Sequence, residues 1–404
     1  MSGLRLGYVT GPLLGAVWML VLSTTVTVAM SFATGEVFRP SSLLSLVVGA
    51  ALALVALVRS ADRLSLVVAV VALAAVSYVG LGPMVIGAEV DNGTRAVGAA
   101  LLAVSSGLSL WKILEGCPFG SLSRHEFEEA VIRFLTGFGF IVFTAAVLVP
   151  FYVMVMTSLK SQQALLANPL DFSIDFSRGW DLFRSYTELF RDFGFGGYLW
   201  TSFFVSVLTV VITLLFSVPG AYAVARLRFK GQAVFSRSIL LIYMVPMIVL
   251  ALPIYIAFSV TGLRNTLFGL ILIYPVTTIP VALYMLQGYF RGLPVEVEEA
   301  GLMDGLSRLQ VILKITLPLS LPAMVSVSLY VFMIAWNEFL LAFMLLDDPS
   351  KFTLTRGVAM LNSSEIPRQH LMAGAVIATI PIMVLFLGLE RFMTKGLTAG
   401  SVKG

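Results

Sequence analysis

Residues 298–318 read EEAGLMDGLSRLQVILKITLP, a polar segment held between two long apolar runs. Pro294 suits the first turn of a helix, because the N–H it lacks would be unpaired there, and Gly305 suits the left-handed residue that ends one. The spacing predicts a short helix over 294–304 and a glycine break. A second helix follows, capped by Ser307 and bent by Pro318 into the next apolar run. A polar helix tethered at both ends to membrane spans is a lever if a partner grips it. Ala300, Gly301 and Gly305 allow close approach, while Glu298, Glu299 and Asp304 supply charge that fixes register. An ordinary solvated acidic loop is the plain alternative.

The surrounding composition decides the fold class. The 404 residues are 58% hydrophobic and only 12% charged, with mean hydropathy +0.96. No soluble chain of this length hides that much apolar surface, so the reading is an all-α polytopic membrane protein. The net charge of +4 is spread over short loops rather than one patch, which disfavours nucleic-acid binding. Cys117 is the single cysteine, which rules out an internal disulfide and a thiolate metal cluster and leaves a loop or interface cysteine. His125 and His370 lack metal-ligand spacing and are expected to be solvated. No catalytic residue, metal site or bound cofactor is expected in this chain.

Apolar runs at 8–32, 42–58, 64–86 and 96–113 reach or nearly reach the roughly 20 residues that a bilayer needs. A charged linker over 115–131 follows, carrying Arg124, His125, Glu126, Glu128 and Glu129, and the domain boundary is expected at 131/132. Six further runs lie at 132–157, 198–225, 238–260, 267–287, 321–346 and 372–392, for ten spans in all. Basic residues in short loops stay on the cytoplasmic side. Arg59 and Arg63, then Arg226, Arg228, Lys230 and Arg237, then Arg391, Lys395 and Lys403 all fall inside if both termini are cytoplasmic. That topology puts 298–318 in the cytoplasm. On the outer side, Trp180, Phe183, Tyr186 and Phe190 recur at helical spacing, which predicts an amphipathic surface helix. It serves either as a docking ledge for an external protein or as packing onto the bundle.

Glu299-Ala300-Gly301, Gly305, Ile315 and Leu317-Pro318 match the spacing of the EAA loop. In this respect the chain resembles the permease subunits of type I ATP-binding-cassette importers. Gly301 stands where the family usually has a second alanine. GAYAVARLRFKG at 220–231, AWNEFLLAF at 335–343 and KGLTAGSVKG at 395–404 resemble the G-subunit type of carbohydrate permease, as in maltose-type importers. The resemblance covers 132–404 and implies a six-helix permease core (family-type core 197–392) preceded by four extra helices. It departs at Thr201-Ser202, where relatives often have Asn-Ser, and at Glu390, where many have glutamine.

The resemblance implies a coupling loop over 288–320 that docks on a separate ATPase through Glu298, Glu299, Ala300, Gly301, Asp304 and Gly305. It also implies a cytoplasmic tail over 393–404 that reaches the ATPase dimer through Lys395, Ser401 and Lys403. The implied partners are a second permease of the F-subunit type, two ATPase subunits that use ATP and Mg, an extracytoplasmic substrate-binding protein and a sugar. The chain has no GxxxxGK[ST] phosphate loop, so it is not expected to hydrolyse ATP itself.

Polar groups inside spans are costly and so are candidates for a translocation pathway. Asn337 and Glu338 lead, roughly 24 Å along the axis from residue 321 at about 1.5 Å per residue, followed by Tyr274, Thr277 and Thr278. A helix–helix hydrogen bond or a snorkelling carboxylate is the structural alternative. Pro275 and Pro280 free backbone carbonyls in the same span as the threonines, which fits either a lined passage or a packing kink. An ion-coupled secondary transporter and a membrane scaffold are the competing functions. The first predicts paired repeats and buried ionisable residues at mid-membrane. The second leaves the 298–318 segment without a purpose.

Overall fold

The computed structural model describes residues 5–58, 63–168, 171 and 173–398. The chain divides into two compact units, Met1–Leu182 and Phe183–Gly404. Six helices among the described residues are long and apolar enough to cross a membrane, and the chain is an all-α polytopic membrane protein.

The first unit holds α1 (Gly7–Thr34), β1 (Phe38–Pro40), α2 (Ser42–Val58), α3 (Arg63–Tyr78), β2 (Met84–Ile86), α4 (Asn92–Leu114), α5 (Arg124–Ser158) and the short α6 (Gln162–Ala167). The strands pair antiparallel, with Arg39 opposite Val85, and are the one small ribbon among these helices. α1 and α2 approach so closely that a Cβ on Gly15 would sit 2.5 Å from the Gly49 carbonyl oxygen, and one on Gly49 would sit 2.3 Å from that of Gly15. Small residues at such crossings let membrane helices gain backbone-to-backbone van der Waals contact, which replaces the hydrophobic drive that lipid removes. Ser23 and Ser45 hydrogen-bond across the same pair at 2.8 Å. The Trp18 indole donates to Ser109 of α4 at 2.7 Å.

The charged linker expected over 115–131 is shorter than composition suggests. Ser123 accepts from the backbone N–H of Glu126, and the Glu126 carboxylate accepts from that of Ser123, a capping box that starts α5 at Arg124. The boundary expected at 131 falls inside this helix, which runs unbroken across it. Cys117 lies buried in the remaining turn.

The second unit holds α7 (Arg184–Asp192), α8 (Phe195–Arg226), α9 (Gln232–Tyr243), α10 (Met247–Val260), α11 (Leu267–Gly292), α12 (Val295–Met303), α13 (Arg308–Val311), a π-helical turn (Ile312–Thr316), α14 (Leu317–Leu319), α15 (Leu321–Asn337), α16 (Leu340–Leu345), α17 (Leu354–Met360) and α18 (Arg368–Thr398). A buried stripe of Ser202, Ser206, Thr209, Thr213 and Ser217 recurs along α8 at three- and four-residue spacing. Four of its hydroxyls are hydrogen-bonded within the bundle, as in the Thr213–Thr278 hydrogen bond of 2.6 Å to α11, while the buried Ser206 hydroxyl has no partner among the described residues. Gly220 lets α11 close in, since a Cβ there would meet Leu283 at 2.8 Å.

Three expected elements are interrupted. The span expected at 238–260 is two helices, because Pro246 cannot continue α9 and instead precedes α10. The span expected at 321–346 stops at Asn337, where Glu338 takes an extended ψ of 121° before α16 begins. The amphipathic helix expected through Trp180, Phe183, Tyr186 and Phe190 is divided, with Trp180 and Phe183 in 3-10 turns and Tyr186 and Phe190 in α7. Across the break between α14 and α15 the chain bends by 74°.

Candidate functional site: a helix pinned by one buried carboxylate

The segment between α11 and α15 has the helix, break and helix expected from its sequence. Pro294 precedes α12 with φ −60°. The helix ends in a Schellman motif: Leu306 N–H donates to Gly301 O and Gly305 N–H to Leu302 O, both at 3.1 Å, with Gly305 at φ +82°. Ser307 and Gln310 then close a second capping box that starts α13. Past α13 the helix widens into the π-helical turn that ends at Thr316.

α12 shows almost all of its surface. Glu299, Ala300, Asp304 and Gly305 are exposed, and Met303 is 88% exposed. Gly301 is buried, and a Cβ there would stand 2.6 Å from Ile315 Cδ1. Glycine in place of the family's usual alanine thus lets α12 settle directly onto the π-helical turn.

Glu298 points the other way from its neighbour Glu299. Its Oε1 accepts from Thr316 Oγ1 at 3.0 Å and its Oε2 from Tyr222 Oη at 3.2 Å. The Arg226 guanidinium lies 3.5 Å from the same carboxylate, with only 8% of the arginine side chain and 11% of the glutamate side chain exposed. Arg226 also donates to the Leu293 carbonyl oxygen at 2.6 Å. Taking a carboxylate out of water is tolerable only when charge and hydrogen bonds replace hydration, and here both do. The expectation that Glu298 lies on a partner-facing surface is therefore corrected: the residue faces inward. Tyr222, Arg226 and Thr316 are functional candidates that sequence reasoning missed. By composition Arg226 is one more loop cation, yet the four-residue spacing of Tyr222 and Arg226 in GAYAVAR puts them on one helix face.

The pathway candidates separate. Tyr274 is buried with its hydroxyl beside Glu338, and Thr278 is buried in its bond to Thr213. Thr277 donates to the Tyr274 carbonyl oxygen at 2.8 Å. Pro275 and Pro280 are buried in the same bundle, as a packing kink would be. Asn337 is exposed and donates to the Met333 carbonyl oxygen at 2.9 Å. The Glu338 carboxylate accepts from the backbone N–H groups of Leu341 at 2.8 Å and Ala342 at 3.1 Å, so it caps α16.

His370, expected in solvent, is instead buried. Its Nε2 lies 2.7 Å from Glu188 Oε2, which ties α7 to α18. His125 is exposed, as expected. The tail contacts expected at Lys395, Ser401 and Lys403 involve side chains outside those described.

Residues 217–398 match the family model described as "Binding-protein-dependent transport system inner membrane component". Over 270 residues the chain is 37% identical to the inner membrane ABC transporter permease protein YcjP of Escherichia coli, covering 66% of this chain and 95% of that one. Over 281 residues it is 33% identical to the trehalose/maltose transport system permease protein MalG of Thermococcus litoralis, covering 69% of this chain and 99% of that one. A bacterial ABC transporter involved in alginate import shares the fold, with TM-score 0.55 and 24% identity over 67% of this chain and 98% of its own. About a third of the present chain lies outside each of these matches. The chain belongs to the binding-protein-dependent transport inner-membrane components, as a carbohydrate ABC importer permease of the MalG type.

Proposed function

We propose that this chain is the membrane-spanning subunit of an ATP-driven importer for a sugar or oligosaccharide, and that α12 is its coupling helix. The observation that carries the reading is the surface of α12: a short helix with Glu299, Ala300, Asp304 and a fully presented Met303 turned outward, and only Glu298 and Gly301 turned in. Exposed Leu302 and Met303 beside the carboxylates of Glu299 and Asp304 form the mixed apolar and charged surface that a docking face uses. The sugar class rests on relatives such as the trehalose/maltose permease.

In this reading the segment faces the cytoplasm, both termini lie there, and ATP is hydrolysed by two separate subunits. A second permease completes the passage, and an external binding protein delivers the sugar. The scaffold alternative gives the exposed face of α12 no role. The ion-coupled alternative relies on Glu338, whose carboxylate is occupied as a helix cap.

The test is the double variant Glu299→Lys with Gly305→Trp. Gly305 has open space around it but a left-handed φ, so the change alters the docking face and strains the turn locally. The chain is expected to insert normally while losing its bound ATPase. Retention of the ATPase together with normal stimulation of ATP hydrolysis by the binding protein would refute the reading.

A further inference from the structure

We infer that Glu298 is the positioning residue of this segment: with Tyr222, Arg226 and Thr316 it fixes α12 against the end of α8, so that displacement of α12 is passed into the span. The inference rests on the coupling reading above, but its structural part stands without it.

Of the nine residues of α12, only Glu298 and Gly301 are buried. Gly301 contributes a smooth contact with Ile315, Val311 and Leu306 and has no side chain to interlock. The one buried side chain of α12 beyond a hydrogen is therefore this carboxylate. That carboxylate reaches two other elements, α8 through Tyr222 and Arg226 and the π-helical turn through Thr316. Arg226 adds the end of α11 through the Leu293 carbonyl. Four pieces of backbone thus converge on a single group.

The chemistry suits transmission. Apolar contacts slide, because dispersion is non-directional, whereas a carboxylate held by two hydroxyls and a guanidinium resists rotation in a low-dielectric surround. α12 is flanked by Pro294 and by Gly305, two sharp changes of chain direction that would otherwise act as hinges. With Glu298 locked, those hinges cannot absorb a push. The motif GAYAVAR at 220–226 gains a purpose in this light, since its tyrosine and arginine are the α8 half of the lock.

The test uses the full chain with Cys117→Ser, co-expressed with its partner subunits. Spin labels go on Val295→Cys at the start of α12, off the proposed docking residues, and Leu215→Cys on the exposed side of α8. The background chain is expected to give one narrow label-to-label distance, unchanged when ATP and vanadate are added, because α12 and α8 move together. Glu298→Gln keeps the shape and removes the charge, and is expected to broaden the distribution about twofold or more and to make it nucleotide-dependent. Thr316→Val and Tyr222→Phe each delete one hydroxyl, should give the same change to a smaller degree, and decide the matter if Glu298→Gln does not accumulate. Distributions identical to the background in these variants, with and without nucleotide, would overturn the inference. Should no ATPase co-purify with the background chain, the coupling reading fails while the nucleotide-free distances still decide the positioning.

Discussion

Glu298 and Glu338 both have hydrogen-bonded carboxylates, and the chain uses them differently. Glu338 places its oxygens mainly on the backbone N–H groups of Leu341 and Ala342, within the next turn of its own chain, with the Tyr274 hydroxyl beside it, and so closes a local end. Glu298 spends its oxygens on Tyr222 and Thr316, side chains 76 and 18 residues away, with Arg226 as counter-charge. A carboxylate satisfied by backbone shapes one helix; a carboxylate satisfied by side chains from several elements ties them together.

The largest effect that can break this comparison is Arg226→Ala. Removing one partner of a buried pair leaves the other charged and desolvated, which costs about 3–5 kcal/mol. Denaturant unfolding in detergent should show a loss of that size, and a loss near zero would mean that the pair is not desolvated. Glu338→Ala should cost less, about 0.5–2 kcal/mol, as for a lost helix cap. Faster amide exchange confined to 340–345 is the expected signature, and exchange spreading to α12 would erase the distinction between the two glutamates.

The smallest effect sharpens it with a third carboxylate. The Arg184 hydrogen bond, assisted by His370, holds the Glu188 carboxyl below the usual range against a desolvation that acts the other way. A depressed pKa contributes stability above the unfolded value, near 4.3, that is lost as pH falls through the lower folded value. Protection of the α7 amides, relative to their intrinsic exchange rate, should therefore be high at pH 7 and fall only in acid below about pH 4. Loss of protection already between pH 7 and 6 would contradict this assignment.

The layout of α12 was legible because Pro294, Gly305 and Ser307 are local signals, and the capping box and Schellman motif are local structures. The direction of Glu298 was not legible. Two adjacent glutamates look alike in sequence, and which one turns inward depends on Tyr222 and Arg226, far away in the chain. The start of α5 was missed for a related reason. Charge suggested a linker, whereas Glu126 completes a cap, Arg124 pairs with Glu128 and Glu129 pairs with Arg133, each at four-residue spacing along the helix. His370 looked solvated because its partner Glu188 lies 182 residues away. The breaks at Pro246 and Glu338 lay inside apolar runs, where hydropathy measures length but not continuity.

A photo-crosslinking amino acid at Met303 tests whether the outward face of α12 docks an ATP-binding subunit. The expected result in membranes is a crosslink to a protein that carries a GxxxxGK[ST] phosphate loop, identified by mass spectrometry, with none from the same label at Trp180. Crosslinks from Met303 to lipid alone, with the chain intact and inserted, would contradict it.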